Sequence, residues 1–149
     1  MYETLLFIHS WVRWLALAGV VIVFLREVRA STTGQPWLPS DLTWMKGAAH
    51  LLGAQVAIGL LLYATSPYIR ALLGNIKSAM QDHSSRFLLV EHGVTMVLAV
   101  AATHMGAAIA RKGATDKAKH ARAAVFFGVA VLLMAYAIPW SRPLFRLGQ

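Results

Sequence analysis

Two histidines in separate apolar segments of the chain are predicted to lie at the same depth in a lipid bilayer. His9 lies about four residues inside the first apolar segment, and His92 lies about six residues inside the third, which the chain enters from the same side. Because a helix rises about 1.5 Å per residue, the two imidazoles lie within roughly 3 Å of one another in depth. Imidazoles that face each other in this way can be the axial ligands of a haem iron.

A second pair of histidines is predicted nearer the opposite side of the bilayer. His50 lies roughly 9 Å from the inner end of the second segment, and His104 lies at a similar distance from the inner end of the third. His92 and His104 are twelve residues apart, which separates them by about 120° around a helix axis. The two histidines of the third helix therefore cannot face the same partner helix, although the third helix can present His92 to the first helix and His104 to the second. Of the two pairs, His9 with His92 is the stronger.

Charged residues flank the stronger pair. Arg13 follows His9 by one turn, and Glu91 directly precedes His92, so Arg13 and Glu91 are expected to neutralise each other across the bundle. Arg86 is expected to bind a haem propionate. A nearby hydroxyl group or a backbone carbonyl would orient each ligating ring through its second nitrogen.

Simpler interpretations stand beside these. A histidine in a membrane helix often only hydrogen-bonds a neighbouring helix. This interpretation is favoured for His104, whereas for His50 it and the ligand interpretation are equally supported. His83 and His120 are expected to be solvated loop residues. The chain has no cysteine, which excludes thiolate metal sites, iron–sulfur clusters and thioether-linked haem.

The elements that position these residues are membrane helices. Of the 149 residues, 58% are hydrophobic and 13% are charged, and the mean hydropathy is +0.57, which is too apolar for a small soluble core. We predict an all-α fold with a single domain over residues 1–149: an integral membrane four-helix bundle with a short interfacial amphipathic helix between helices 2 and 3. The predicted spans are 5–25, 44–63, 86–110 and 123–140, and the interfacial helix covers 67–80.

Basic residues gather in the loops between the apolar segments. The net charge of +8 therefore indicates membrane topology, and a nucleic-acid partner is not expected. By the positive-inside rule the first and third loops lie in the cytoplasm, and both termini lie outside. Arg142 and Arg146 near the C-terminus count against this orientation.

Short motifs spread over nearly the whole chain carry a family resemblance. They are His9-Ser10-Trp11-Val12-Arg13-Trp14, His50-Leu51, Leu62-Tyr63 through Ser66-Pro67, Arg86-Phe87 through Val90-Glu91-His92, Lys117 with Lys119, and Pro139-Trp140. In these motifs the chain resembles a family of small bacterial four-helix membrane proteins labelled cytochrome b. The resemblance implicates His9, His50 and His92 together with Arg13, Arg86 and Glu91, whereas His104 does not belong to the pattern.

The leading functional hypothesis is a b-type cytochrome of the bacterial inner membrane. It would carry one haem b, or two, and transfer electrons between a quinone or quinol and a partner redox protein. The alternatives are a cofactor-free accessory or scaffold subunit of a larger membrane complex, and a protein whose histidines ligate a chlorophyll-type pigment or a metal ion. No nucleophile–base pair, phosphate-binding loop or paired catalytic carboxylates are evident, so we do not expect an autonomous hydrolase or transferase.

Overall fold

The structure, a computed structural model, describes residues 1–140 and contains seven α-helices and one π-helical turn in that range. Arg142 and Arg146 lie outside the described residues. The elements are α1 Tyr2–Thr33, α2 Pro39–Thr65, α3 Pro67–Leu73, α4 Ile76–Gln81, α5 His83–Arg86, the π turn Phe87–Glu91, α6 His92–Ala110 and α7 Asp116–Ala137.

Four helices are long and apolar enough to cross a membrane. They are α1, α2, α7 and the continuous helix His83–Ala110, which joins α5, the π turn and α6. Their outer surfaces are apolar, as at Leu15, Val125 and Leu132, which are 63%, 64% and 71% exposed. The predicted all-α four-helix membrane bundle is therefore confirmed, and the protein is a multi-pass membrane protein.

The four long helices form a closed ring in the order α1, α2, α6, α7, so α1 and α6 lie on a diagonal. Short loops at 34–38 and 111–115 connect antiparallel neighbours at what we call the loop end, and α3–α5 cross the opposite, connector end. Small residues bring the helices close: a Cβ added at Gly106 would lie 2.8 Å from the Cβ of Phe126 on α7. Phe127, fully buried, fills the core beside it.

All four long helices begin or end beyond the predicted bounds, and the largest differences are at the end of α1 and the start of α7. α1 continues past residue 25 to Thr33 because Glu27, expected to close the span, is buried at 1% exposure and satisfied inside the protein. Gly34 ends the helix in the left-handed region with φ of 69°. α7 begins at Asp116, earlier than the predicted residue 123, because the Thr115 hydroxyl accepts a hydrogen bond from the Ala118 amide and caps it.

Two short helices, α3 and α4, occupy the predicted range 67–80, and α5 then leads into the third long helix, so the prediction of one helix there is wrong in detail. Each piece has its own side-chain cap: Ser66 for α3, Asn75 for α4 and Asp82 for α5. The chain changes direction at Gly74 and Asn75, because Asn75 bonds the first turn of the next helix through its side chain. Hydrogen bonds from Ser85 lower the pKa of Asp82, which keeps this last cap charged.

Candidate functional site

The connector end of the bundle contains a cavity of about 220 Å³ between all four long helices. It is partly open to the surface, and its lining is mostly apolar. Its polar lining comes mainly from α1, α2 and α6: His9, Ser10, Arg13, Gln55, Tyr63 and His92. A mostly apolar cleft with a few convergent polar groups is the usual form of a cofactor or small-molecule site.

His9 and His92 face each other across this cavity. Their ring centroids are 6.4 Å apart and their planes are inclined by 72°. Two imidazoles that bind one metal ion at about 2.0–2.1 Å per nitrogen hold their centroids about 6 Å apart. The structure thus brings together the two residues that their depths had paired, and it does so on the diagonal of the bundle, where a group has room between α1 and α6.

A backbone carbonyl orients the ring of His92. His92 Nδ1 lies 2.7 Å from the carbonyl oxygen of Ala137, near the end of α7. Because a carbonyl oxygen only accepts, Nδ1 carries the hydrogen and Nε2 retains a lone pair. This is the arrangement that holds histidine ligands in metal and haem sites.

His9 is held through its backbone and by a glycine. The Gln55 side-chain amide donates to the carbonyl oxygen of His9 at 2.8 Å, while a Cβ added at Gly59 would lie 3.1 Å from His9 Cε1. The His9 ring therefore lies directly against α2. His9 Nδ1 and Gln55 Oε1 are buried and have no hydrogen-bond partner within residues 1–140. Buried polar atoms without partners are rare, and here two of them lie at one cavity.

The π turn immediately precedes His92. The amide of His92 donates to the carbonyl of Phe87, five residues earlier, and the Tyr63 hydroxyl donates to the carbonyl of Leu89 at 2.9 Å. π turns are rare and occur often at functional sites. Here the turn and its bond to α2 set the rotation of α6, and thus where His92 points. The sequence pattern contained no signal for it.

The charged flank differs from the prediction. Glu91 accepts from Arg86 Nε at 2.8 Å and from the Tyr136 hydroxyl at 3.0 Å, so the predicted Arg13–Glu91 pair is wrong. Glu91 pairs with Arg86 of the same helix because the π turn directs Glu91 outward, toward Arg86 and α7. Arg13 lines the cavity, whereas Arg86 and Glu91 do not.

His50 and His104 meet, but outside the bundle. Their ring centroids are 5.6 Å apart, and both side chains are exposed on the surface of α2 and α6. A second haem in the core of the bundle would require both of these histidines to face the core. Their exposed positions do not match that arrangement.

Sequence reasoning missed a buried polar pair near the loop end. His120 is 1% exposed, and its Nδ1 lies 2.6 Å from Glu27 Oε2, so the prediction of a solvated loop residue is wrong. The Trp37 ring covers His120 with a centroid distance of 5.0 Å. His120 lies three residues before the predicted span, and only the extension of α7 to Asp116 brings it inside. His83, in contrast, is exposed as predicted.

The residues at the cavity fit haem better than a bare metal ion. Within residues 1–140 no group of three or more histidine, aspartate or glutamate side chains could hold a metal, and structural metal sites usually need four protein ligands. A haem needs only the two axial ligands. Gly93 lines the cavity beside His92, and a Cβ there would meet nothing within 4 Å, which leaves space next to the ring.

No family model, curated protein or solved structure matches the chain. The resemblance to cytochrome b-labelled proteins therefore stays a prediction from the motifs.

Proposed function

We propose that this protein is a b-type membrane cytochrome, in which His9 and His92 are the axial ligands of one haem b in the cavity at the connector end. The observation that carries the proposal is the pair of imidazoles across one cavity at 6.4 Å, the ring of His92 being set by Ala137. Haem supplies one-electron chemistry when bound. The electrons would pass between a quinone or quinol and a partner redox protein.

The residues of the chain hold the haem and shield it from solvent. His92 presents Nε2 to the cavity because Ala137 occupies Nδ1, and Gln55 fixes the backbone that carries His9. The mostly apolar lining limits contact with water, which favours electron transfer over side reactions with solvent. Arg13 places a guanidinium at the cavity, where it can bind a carboxylate such as a propionate.

The charge distribution supports an orientation in a bacterial inner membrane. Three of the described Lys and Arg residues lie at the connector end, and eight lie near the loop end. The latter are Arg26, Arg29, Lys46, Arg111, Lys112, Lys117, Lys119 and Arg122. The positive-inside rule then places the loop end in the cytoplasm and the haem site near the outer surface.

An optical spectrum tests the proposal. Protein purified in mild detergent from haem-replete cells should give a reduced-minus-oxidised spectrum of b type, which His9→Ala and His92→Ala abolish. His83→Ala, at an exposed site, is the control and should keep the spectrum. Added imidazole should restore part of the signal in His92→Gly, which separates loss of a ligand from loss of the fold. A colourless wild-type protein from haem-replete cells would refute the proposal.

A cofactor-free subunit of a larger membrane complex is the second candidate. The observation that favours it is the exposed His50–His104 pair, because polar rings on the outer surface of membrane helices indicate association with another helix. Such a subunit would be colourless and would co-purify in constant ratio with its partners.

A further inference from the structure

The ring of His9 lies against a part of α2 that has no side chain. A Cβ added at Gly59 would lie 3.1 Å from His9 Cε1 and 3.7 Å from His9 Nδ1, whereas His9 Nε2 lies more than 4 Å away. The optimal distance between carbon atoms is about 3.5–4.0 Å, so the ring would have to shift if residue 59 were an alanine. Nδ1 is thus turned to α2, and Nε2 is the nitrogen left for the cavity that His9 lines.

The missing side chain at Gly59 uncovers a backbone carbonyl. In a helix each Cβ points back over the preceding turn, so a side chain at position 59 would cover the carbonyl of Gln55, four residues earlier. That carbonyl accepts the helical hydrogen bond of the Gly59 amide and keeps a second lone pair. The backbone of Gln55 interacts with the ring of His9, as a carbonyl acceptor beside a ring nitrogen does.

A backbone carbonyl also orients the other ring, but that contact is stronger. His92 Nδ1 lies 2.7 Å from the carbonyl oxygen of Ala137 on α7. The Ala137 carbonyl is at the end of its helix, where carbonyls have no partner in the helix, whereas the Gln55 carbonyl already accepts one bond. His9 Nδ1 has no hydrogen bond within residues 1–140, so its contact with Gln55 is the weaker of the two. The helices that carry the imidazoles, α1 and α6, thus lie on one diagonal of the bundle, and the helices that orient them, α2 and α7, lie on the other.

We propose that Gly59 and the backbone carbonyl of Gln55 position His9 as the more easily displaced of the two iron ligands, an inference that rests on the proposed haem site. The space at Gly59 lets His9 Nδ1–H face the Gln55 carbonyl, which leaves the lone pair of Nε2 for the iron. Because this carbonyl is shared with the helix, His9 is held less firmly than His92. Gly59 and Gln55 are therefore positioning residues that act through His9.

Gly59→Ala tests the position of His9 in the haem-loaded protein. The added Cβ should displace His9 and leave His92 in place, so haem affinity should fall by about 10- to 100-fold. The haem that remains bound should be five-coordinate and high-spin and should bind carbon monoxide, whereas the wild type should be six-coordinate and low-spin. Gly53→Ala, where an added Cβ meets nothing within 4 Å, is the matched control on α2. Gly106→Ala, which strains the contact between α6 and α7, should lower stability but keep the six-coordinate spectrum. Wild-type affinity and spectrum in Gly59→Ala would overturn the proposal.

Nitrogen NMR of the haem-free protein with isotope-labelled histidine tests the tautomer of His9 independently. Spectra are recorded in detergent at about pH 8, where an ordinary histidine is neutral, and His9→Ala assigns the signals of His9. The wild type and Gly53→Ala should carry the hydrogen on Nδ1, and Gly59→Ala should show a mixture of the two tautomers. Hydrogen on Nε2 in the wild type would overturn the inference whether or not haem binds. A wild type that stays colourless but has the Nδ1–H tautomer would refute the haem site and still support the placement of His9 by Gly59 and Gln55.

Discussion

The buried Glu27–His120 pair should be one of the strongest single contributions to stability in this bundle. Both side chains are 1% exposed, and their bond of 2.6 Å ties α1 to α7. His120→Leu would leave the Glu27 carboxyl group buried without its partner, which in comparable pairs costs about 3–5 kcal/mol of unfolding free energy. Because His120 Nε2 is itself buried without a hydrogen bond, its removal offsets part of the loss, and we expect about 3 kcal/mol.

The double variant Glu27→Leu/His120→Leu isolates the interaction energy between the two side chains from their contacts with the rest of the protein. Removing both polar groups leaves no orphan, so the double variant should lose less stability than the sum of the two single variants, by about 0.5–3 kcal/mol. Lys119→Gln is the control, since it breaks the partly exposed bond from Lys119 to Asp116, and such a pair on a helix is worth about 0.3–0.5 kcal/mol.

Reversible unfolding in mixed micelles, with increasing dodecyl sulfate and helicity followed by circular dichroism, gives these free energies. The reasoning is refuted if His120→Leu costs no more than Lys119→Gln. It is also refuted if the double variant loses as much as the two single variants together, because the two groups would then be independent.

Three further substitutions test the site and the packing. Tyr63→Phe removes the hydrogen bond to the π turn and should cost about 0.6–1.7 kcal/mol in the same assay and weaken haem retention, whereas Tyr136→Phe should leave haem retention unchanged. Gly106→Ala should destabilise by about 1–3 kcal/mol because its Cβ overlaps α7, while Gly93→Ala should not destabilise; equal melting temperatures would contradict this. Asp41→Ala removes a capping side chain and should cost about 0.5–2 kcal/mol; an unchanged midpoint would argue against that role.

Composition and depth were enough to predict the four membrane helices and the meeting of His9 with His92. Hydropathy over about 20 residues reports whether a helix can cross a bilayer, and a rise of 1.5 Å per residue places two residues at one level without knowledge of their neighbours. The same reasoning placed His50 near His104. Hydropathy and depth belong to each helix by itself, so they do not depend on how the bundle is arranged.

Rotation and burial were decided by the tertiary structure. Whether His50 and His104 face the core or the lipid depends on how α2 and α6 turn in the ring, and the partner of Glu91 depends on a π turn with no sequence signal. The sequence predicted that His120 is a loop residue, but α7 begins at Asp116 and buries His120 against Glu27. A pattern along one helix determines depth, but the direction of each side chain follows from the packing of all four helices together.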